Sequence, residues 1–104
     1  MANPWAGEVS IEIDGVPHDC KLTLGALAAL EAGLATGSLV ELVRRFEGSA
    51  FSSADVMAVV VAGLRGGGWR GTAADLMTAE ISGGPIGAAK AAAQLLARAF
   101  EAPE

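Results

Sequence analysis

The segment from Glu8 to Thr23 constrains the fold most strongly. Glu8–Ile13 alternates polar and apolar residues, Asp14-Gly15 follows, and the stretch from Val16 to Thr23 alternates again. An Asp-Gly pair between two alternating stretches is the strongest short-range signal for a hairpin with a two-residue turn. The sequence therefore predicts a β-hairpin over residues 8–23.

A two-residue turn also fixes the register of this hairpin. It places Ile13 opposite Val16, and the pairing that follows gives one apolar face, made of Val9, Ile11, Ile13, Val16, Cys20 and Leu22. Pro17 falls in a non-hydrogen-bonded pair, so its missing N–H would point outward, which predicts that the second strand is a free edge. A two-stranded hairpin is only marginally stable by itself. Its apolar face is therefore expected to pack against helices or against the hairpin of a second copy.

Five short helices are predicted after the hairpin. Thr23, Ser38, Ser52 and Thr72 each precede an apolar periodic stretch and are suited to cap a helix. The third stretch is apolar on nearly every side and is expected to be central. The predicted fold class is α+β, an N-terminal hairpin followed by a bundle of about five short helices, in a single domain over residues 1–104. The predicted helices span residues 24–35, 38–47, 53–65, 73–81 and 86–100.

Composition and charge restrict the partners. The chain is 52% hydrophobic but only 5% aromatic, and its net charge is −5. Nucleic acids and anionic membranes bind surfaces where Lys and Arg are clustered. The seven basic residues of this chain are scattered along it, so neither is expected as a partner. The apolar runs are too short or too interrupted to span a bilayer, and the start of the chain lacks the pattern of a signal peptide. One cysteine permits no internal disulfide and fits a reducing compartment, so a cytoplasmic location is predicted.

The sequence supplies few residues for catalysis. It contains one His, one Cys and no Tyr. His18 and Cys20 share a strand face, but two side chains are too few for a zinc site, and a buried thiol without an activating neighbour is inert. We therefore predict no catalytic residues, no metal site and no enzymatic activity.

The glycines at positions 66, 68 and 71 match the spacing of a dinucleotide-binding loop. That loop requires a preceding strand and a helix that begins within it. Here a predicted helix precedes the glycines, so the sequence favours a flexible interhelical loop and no cofactor.

The same loop carries the candidate contact residues. Arg65, Trp69 and Arg70 combine the aromatic and guanidinium side chains that often dominate protein–protein binding. Alternatively, Trp69 folds back and fills a gap in an Ala-rich core. Trp5, near the N-terminus, is a weaker candidate of the same kind, and Pro17 marks the predicted free edge.

Several segments resemble one family. They run from Gly7 to Gly15, from Lys21 to Glu31, from Leu39 to Phe46, from Ala62 to Gly68 and from Leu95 to Phe100. Together they resemble the small tail proteins of gene transfer agents and phages of alphaproteobacteria, in which a hairpin leads into an Ala/Leu helix that ends in Leu-Glu. The resemblance covers the chain from Gly7 to Phe100 and transfers no individual functional residue.

The resemblance implies a role in building a phage-like tail. Two functions fit it: a tail assembly chaperone that binds the tape-measure and tail tube proteins, and a permanent structural component of the tail tube. Tube subunits generally need a larger sheet than two short strands, which favours the chaperone. A homo-oligomer is compatible with either function, and a small regulatory binding protein of the host is a more distant alternative. A structural component would be found in the particle rather than in the cytoplasm alone.

Overall fold

The described part of the chain folds into a β-hairpin followed by five helices. A computed structural model describes residues 7–34 and 38–100. Among them, two antiparallel strands precede the helices in the chain, which confirms the α+β prediction. The strands are β1 (Glu8–Ile13) and β2 (Val16–Lys21), and the helices are α1 (Leu24–Ala32), α2 (Leu39–Glu47), α3 (Ser53–Gly66), α4 (Ala73–Met77) and α5 (Gly84–Phe100).

The hairpin has the predicted register. Ile13 lies opposite Val16 and Glu8 opposite Lys21, with the remaining pairs in step between them. Asp14 and Gly15 both have positive φ, 50° and 81°, as the two central residues of a type I′ turn require. The predicted apolar face is buried at every position except Val16, which is 55% exposed because it lies beside the turn.

Polar side chains begin four of the helices, as predicted. Thr23 Oγ1 accepts a hydrogen bond from Ala26 N at the start of α1, and Ser38 does the same for α2. Ser52 and Thr72 form reciprocal capping boxes, each with an aspartate three residues later. These bonds satisfy backbone N–H groups that have no partner within the helix, so the polar residues determine where each helix starts.

Helix α3 lies at the centre of the core, as its nearly uniform apolar composition predicts. It packs against β2, α1, α4 and α5. The largest fully buried side chains come from four elements and are Leu42, Leu64, Leu95, Val59, Val60 and Cys20. The core of the described residues contains no buried polar or charged side chain, so hydrophobic burial is its main source of stability.

The ends of several predicted elements are wrong. The fourth helix was expected to continue to Ile81, but α4 ends at Met77 because Ile81 forms an isolated antiparallel bridge with Ile13. A residue that pairs with a strand cannot remain in a helix, and this long-range pairing has no local signal.

Smaller differences affect the other ends. The fifth helix begins two residues earlier than predicted, at Gly84, and Pro85 occupies its first turn. α3 continues one residue further, to Gly66, and β2 ends at Lys21. Residue 35, the predicted end of the first helix, lies outside the described residues, and α1 ends at Ala32.

Candidate functional site

The end of α3 covers part of the outer edge of β2. The register directs the backbone carbonyls of Asp19 and Lys21 away from β1. Gly66 and Gly67 lie against these oxygens, because an added Cβ would stand 1.9 Å from Lys21 O and 1.8 Å from Asp19 O. Only a Cα–H fits in this space, which is the arrangement of a Cα–H···O contact.

One prediction holds in part here and another is wrong. Gly68 and Gly71 lie in the connection between α3 and α4, as predicted for an interhelical loop, but Gly66 ends α3, and Gly67 caps it by donating to Gly63 O and Leu64 O. The second strand was expected to have a free edge, but that edge is closed at Asp19 and Lys21 and Pro17 is its exposed end. Sequence periodicity shows that a helix ends at these glycines and cannot show what packs on them.

The edge of β1 is bonded to the segment between α4 and α5. Asp14 N donates to Glu80 O at 2.7 Å, and Ser82 N donates to Glu12 O at 3.0 Å. The carboxylate of Asp14 accepts a further bond from Glu80 N at 2.9 Å. Residues 80–82 thus act as a minimal third strand beside the turn.

A side chain from α5 reaches the opposite end of β1. The Arg98 guanidinium donates to Glu8 O at 2.5 Å. Backbone groups that point away from the hairpin are therefore engaged by the chain itself near both ends of β1. An edge engaged in this way is a poor template for pairing with another strand.

The structure brings two of the predicted contact residues together. The Trp69 indole is half-buried, packs on the core and lies over Gly71, where an added Cβ would stand 2.1 Å from the ring. Arg65 Nε donates to Gly71 O at 3.3 Å, whereas Arg70 is exposed. Trp69 thus packs back on the core, as the alternative interpretation describes, while Arg65 and Arg70 beside it are exposed. Trp5 lies outside the described residues.

Cys20 is fully buried beneath the sheet. Burial raises the pKa of its thiol to about 12, and the nearby negative charge of Asp19 adds to this rise. The thiol donates to His18 O at 3.7 Å. A thiol this weakly acidic is overwhelmingly protonated at neutral pH and is a poor nucleophile. Within residues 7–34 and 38–100, no cluster of three or more His, Cys, Asp or Glu could hold a metal ion.

An apolar groove lies between α3, α4 and the start of α5, and we call it the α3–α5 groove. Its cavity has a volume of about 460 Å³. Its walls include Val56, Met57 and Val60 of α3, Leu76 of α4, and Ala88 and Ala89 of α5. Ile86 stands at its rim and is 75% exposed.

The groove has little signal in the sequence. Ile86 fits the periodic apolar face of the fifth predicted helix, and only the structure shows that its side chain is 75% exposed at the groove.

The connection between α2 and α3 holds one end of the groove. Phe51, which lines the groove, stacks on Phe46 with ring centroids 4.7 Å apart. Arg45 forms a two-bond ion pair with Asp55, each bond 3.0 Å long. The Arg45 guanidinium and the backbone of Ser52 hold the pKa of Asp55 below its ordinary value. This pair fixes α2 to the first turn of α3.

A comparison with protein families identifies the chain. A family described as phage tail tube protein, GTA-gp10, matches residues 6–102. The chain belongs to this family. The match confirms the resemblance found in the sequence and extends over the hairpin, all five helices and the groove. No curated protein and no solved structure matches the chain significantly.

Membership of the GTA-gp10 family makes this a protein of phage-like tails. The family supplies a structural context and does not mark any residue of the chain as functional. None of the described helices has the length and hydropathy needed to cross a membrane. The sheet edges and the α3–α5 groove are therefore the features from which a function can be argued.

Proposed function

We propose that this GTA-gp10 family member is a tail assembly chaperone, which binds the tape-measure and tail tube proteins while a tail is built. The protein acts by contact, without a cofactor and without catalysis, in the cytoplasm of the bacterial host. Nucleic acid and membrane are not among its partners.

The engagement of both sheet edges by other parts of the same chain is the observation that carries this proposal. Subunits that line a tube with a continuous sheet must offer unpaired backbone groups to their neighbours. Here α3 covers the carbonyls of Asp19 and Lys21, and residues 80–82 bond to β1 beside the turn. A two-stranded sheet closed in this way is suited to remain within one molecule.

The second candidate is a permanent component of the tail tube. The family favours it, since its members are described as phage tail tube proteins. In this case the protein would remain in the finished particle, and its helices rather than its strands would make the contacts between subunits. A regulatory protein of the host has no comparable support, because the match is to a tail family.

Two measurements on the same cells separate the candidates. The tagged protein is co-expressed with the tape-measure and tube proteins of its own tail gene cluster, and captured partners are identified by mass spectrometry. Purified particles are analysed in parallel for the copy number of this chain.

The chaperone predicts stable capture of the tape-measure protein and near absence of the chain from particles. A tube component predicts many copies per particle, in a fixed ratio to the other tail proteins. The second result would overturn the proposal.

A further inference from the structure

The α3–α5 groove lacks the features of a small-molecule site. Its volume of about 460 Å³ would accommodate an organic ligand. Ser52 and Ser53 are the only polar residues among the described residues that line it. Sites for metabolites usually contain several convergent polar groups that orient the ligand. The groove therefore fits an apolar surface better than a polar metabolite.

The groove also lacks the features of a strand-binding site. The walls come from helices, whose backbone groups are bonded within each helix. Phe51, Ser52 and Ile81 line the groove from outside the helices, but Ser52 N already donates to Asp55 and Ile81 already pairs with Ile13. An extended peptide in this groove would leave its own N–H and C=O groups unpaired, whereas a helix bonds these groups internally.

Charge distinguishes one end of the groove. An adjoining cavity shares Ile81, Pro85 and Ala88 with it and is also lined by Glu80. Among the described residues that line the two cavities, Glu80 carries the only charge. Asp14 accepts a hydrogen bond from Glu80 N, which brings a second carboxylate to the same end. Lys90 lies one helical turn beyond Ile86 along α5, away from this acidic end.

We infer that the α3–α5 groove binds an amphipathic α-helix of a partner protein, with the apolar stripe of that helix in the groove and a Lys or Arg beside Glu80. A helix that lays its apolar face into a groove is a common mode of peptide recognition. The charge of this end complements a basic partner. A second copy of this chain is a poorer occupant because it carries the same net charge of −5. The inference rests on the proposed function only for the identity of the partner, a helix of the tape-measure protein.

The first test measures direct binding by fluorescence anisotropy. The probes are two synthetic 18-residue amphipathic helices with the same apolar stripe, one with Lys and one with Glu on the polar face. We expect the Lys peptide to bind more tightly, and Ile86→Asp to weaken its binding by about tenfold or more, since the bound helix would cover a charge in place of an apolar side chain. The matched control is Leu24→Asp, at a side chain that is 83% exposed and not part of the groove.

A charge exchange tests the contribution of Glu80 to this preference. Glu80→Lys should reduce the preference for the Lys peptide over the Glu peptide, because it reverses the charge at that end. Its backbone bonds to Asp14 are unaffected by the side chain. Glu47→Lys, at the end of α2, makes the same change in net charge away from the groove and should leave the preference unchanged.

The inference is overturned if Ile86→Asp binds the Lys peptide as well as the native protein does while its circular dichroism is unchanged. It is also overturned if the native protein is a dimer by light scattering and Ile86→Asp is a monomer, since a second copy would then be the occupant. Capture of the tape-measure protein that survives Ile86→Asp would reject the groove and keep the chaperone. Peptide binding with no capture by the native protein would keep the groove and reject the chaperone.

Discussion

Two helical glycines, Gly66 and Gly25, have opposite surroundings. Gly66 lies against the carbonyl of Lys21, and an added Cβ would stand 1.9 Å from that oxygen. Gly25 lies in the first turn of α1, and the nearest heavy atom to an added Cβ is Thr23 Oγ1 at 4.0 Å. Helix propensity alone predicts that alanine stabilises both positions.

The structure predicts that replacing these two glycines with alanine changes the free energy of unfolding in opposite directions. Gly66→Ala should lower the free energy of unfolding by about 1–3 kcal/mol, because the backbone of α3 must move away from β2. Gly25→Ala should raise it by about 0.4–1 kcal/mol through the reduced entropy of the unfolded chain. Urea unfolding followed by circular dichroism measures both. If Gly66→Ala is as stable as Gly25→Ala, the close approach of α3 to the strand edge is wrong.

At the scale of elements, the start of α3 depends on one hydroxyl. Ser52 Oγ accepts from Asp55 N at 3.1 Å, and the Asp55 carboxylate accepts from Ser52 N at 2.9 Å. Ser53 is the next residue and has already entered the helix. The two serines have the same side chain, but Ser52 caps the helix and Ser53 is its first residue.

Removal of the cap should destabilise the protein. Ser52→Ala should cost about 1 kcal/mol of stability, since Asp55 N loses its partner. Ser53→Ala is the matched control and should leave stability unchanged or slightly raised, because alanine is the better helix former. Thermal unfolding of both variants checks this. Equal melting temperatures would mean that Ser52 does not cap the helix.

Element starts and element ends differ in how well the sequence predicts them. A cap is a local pattern, so the starts of α1, α2, α3 and α4 follow from Thr23, Ser38, Ser52 and Thr72. The end of α4 is not local, because residues 80–82 leave the helix in order to bond to β1. Helix propensity cannot represent competition from a strand more than sixty residues away.

At the scale of the whole molecule, Cys20 reports on global unfolding. It lies under the sheet and is fully buried, and burial raises the pKa of its thiol to about 12 from an ordinary value of 9.0. Because the folded state disfavours the thiolate, the stability linked to this group is fully present below pH 9 and is lost as the pH rises toward 12.

Two results should follow. Alkylation of Cys20 at neutral pH should be slow in the native protein and fast in urea, as mass spectrometry can show. The free energy of unfolding should fall between pH 9 and 12. In Cys20→Ala, which should be less stable overall, this free energy should fall less over the same pH range because the thiol is absent. Rapid alkylation of a folded, native protein would contradict the burial of Cys20.

The packing that buries Cys20 also limits how the sheet can pair with strands of other molecules. α3 covers part of one edge of the sheet, residues 80–82 and Arg98 engage the other near its two ends, and the α3–α5 groove remains as an apolar surface open to solvent. A protein built this way joins partners through helices. This distribution supports the proposed role in tail assembly and makes helix binding the property to measure first.

The sequence by itself determined the hairpin, its register, the class of fold and the positions where the first four helices begin, because alternation, an Asp-Gly turn and capping residues act over a few neighbouring positions. It also identified the family through patterns along the chain. Only the tertiary structure decided that the glycines after Arg65 close the edge of β2, that Ile81 pairs with β1, and that α3, α4 and α5 leave a groove between them. These features arise where distant segments meet, and the physical reason is steric: a contact between Gly66 and Lys21 depends on how whole elements pack, which no short stretch of sequence encodes.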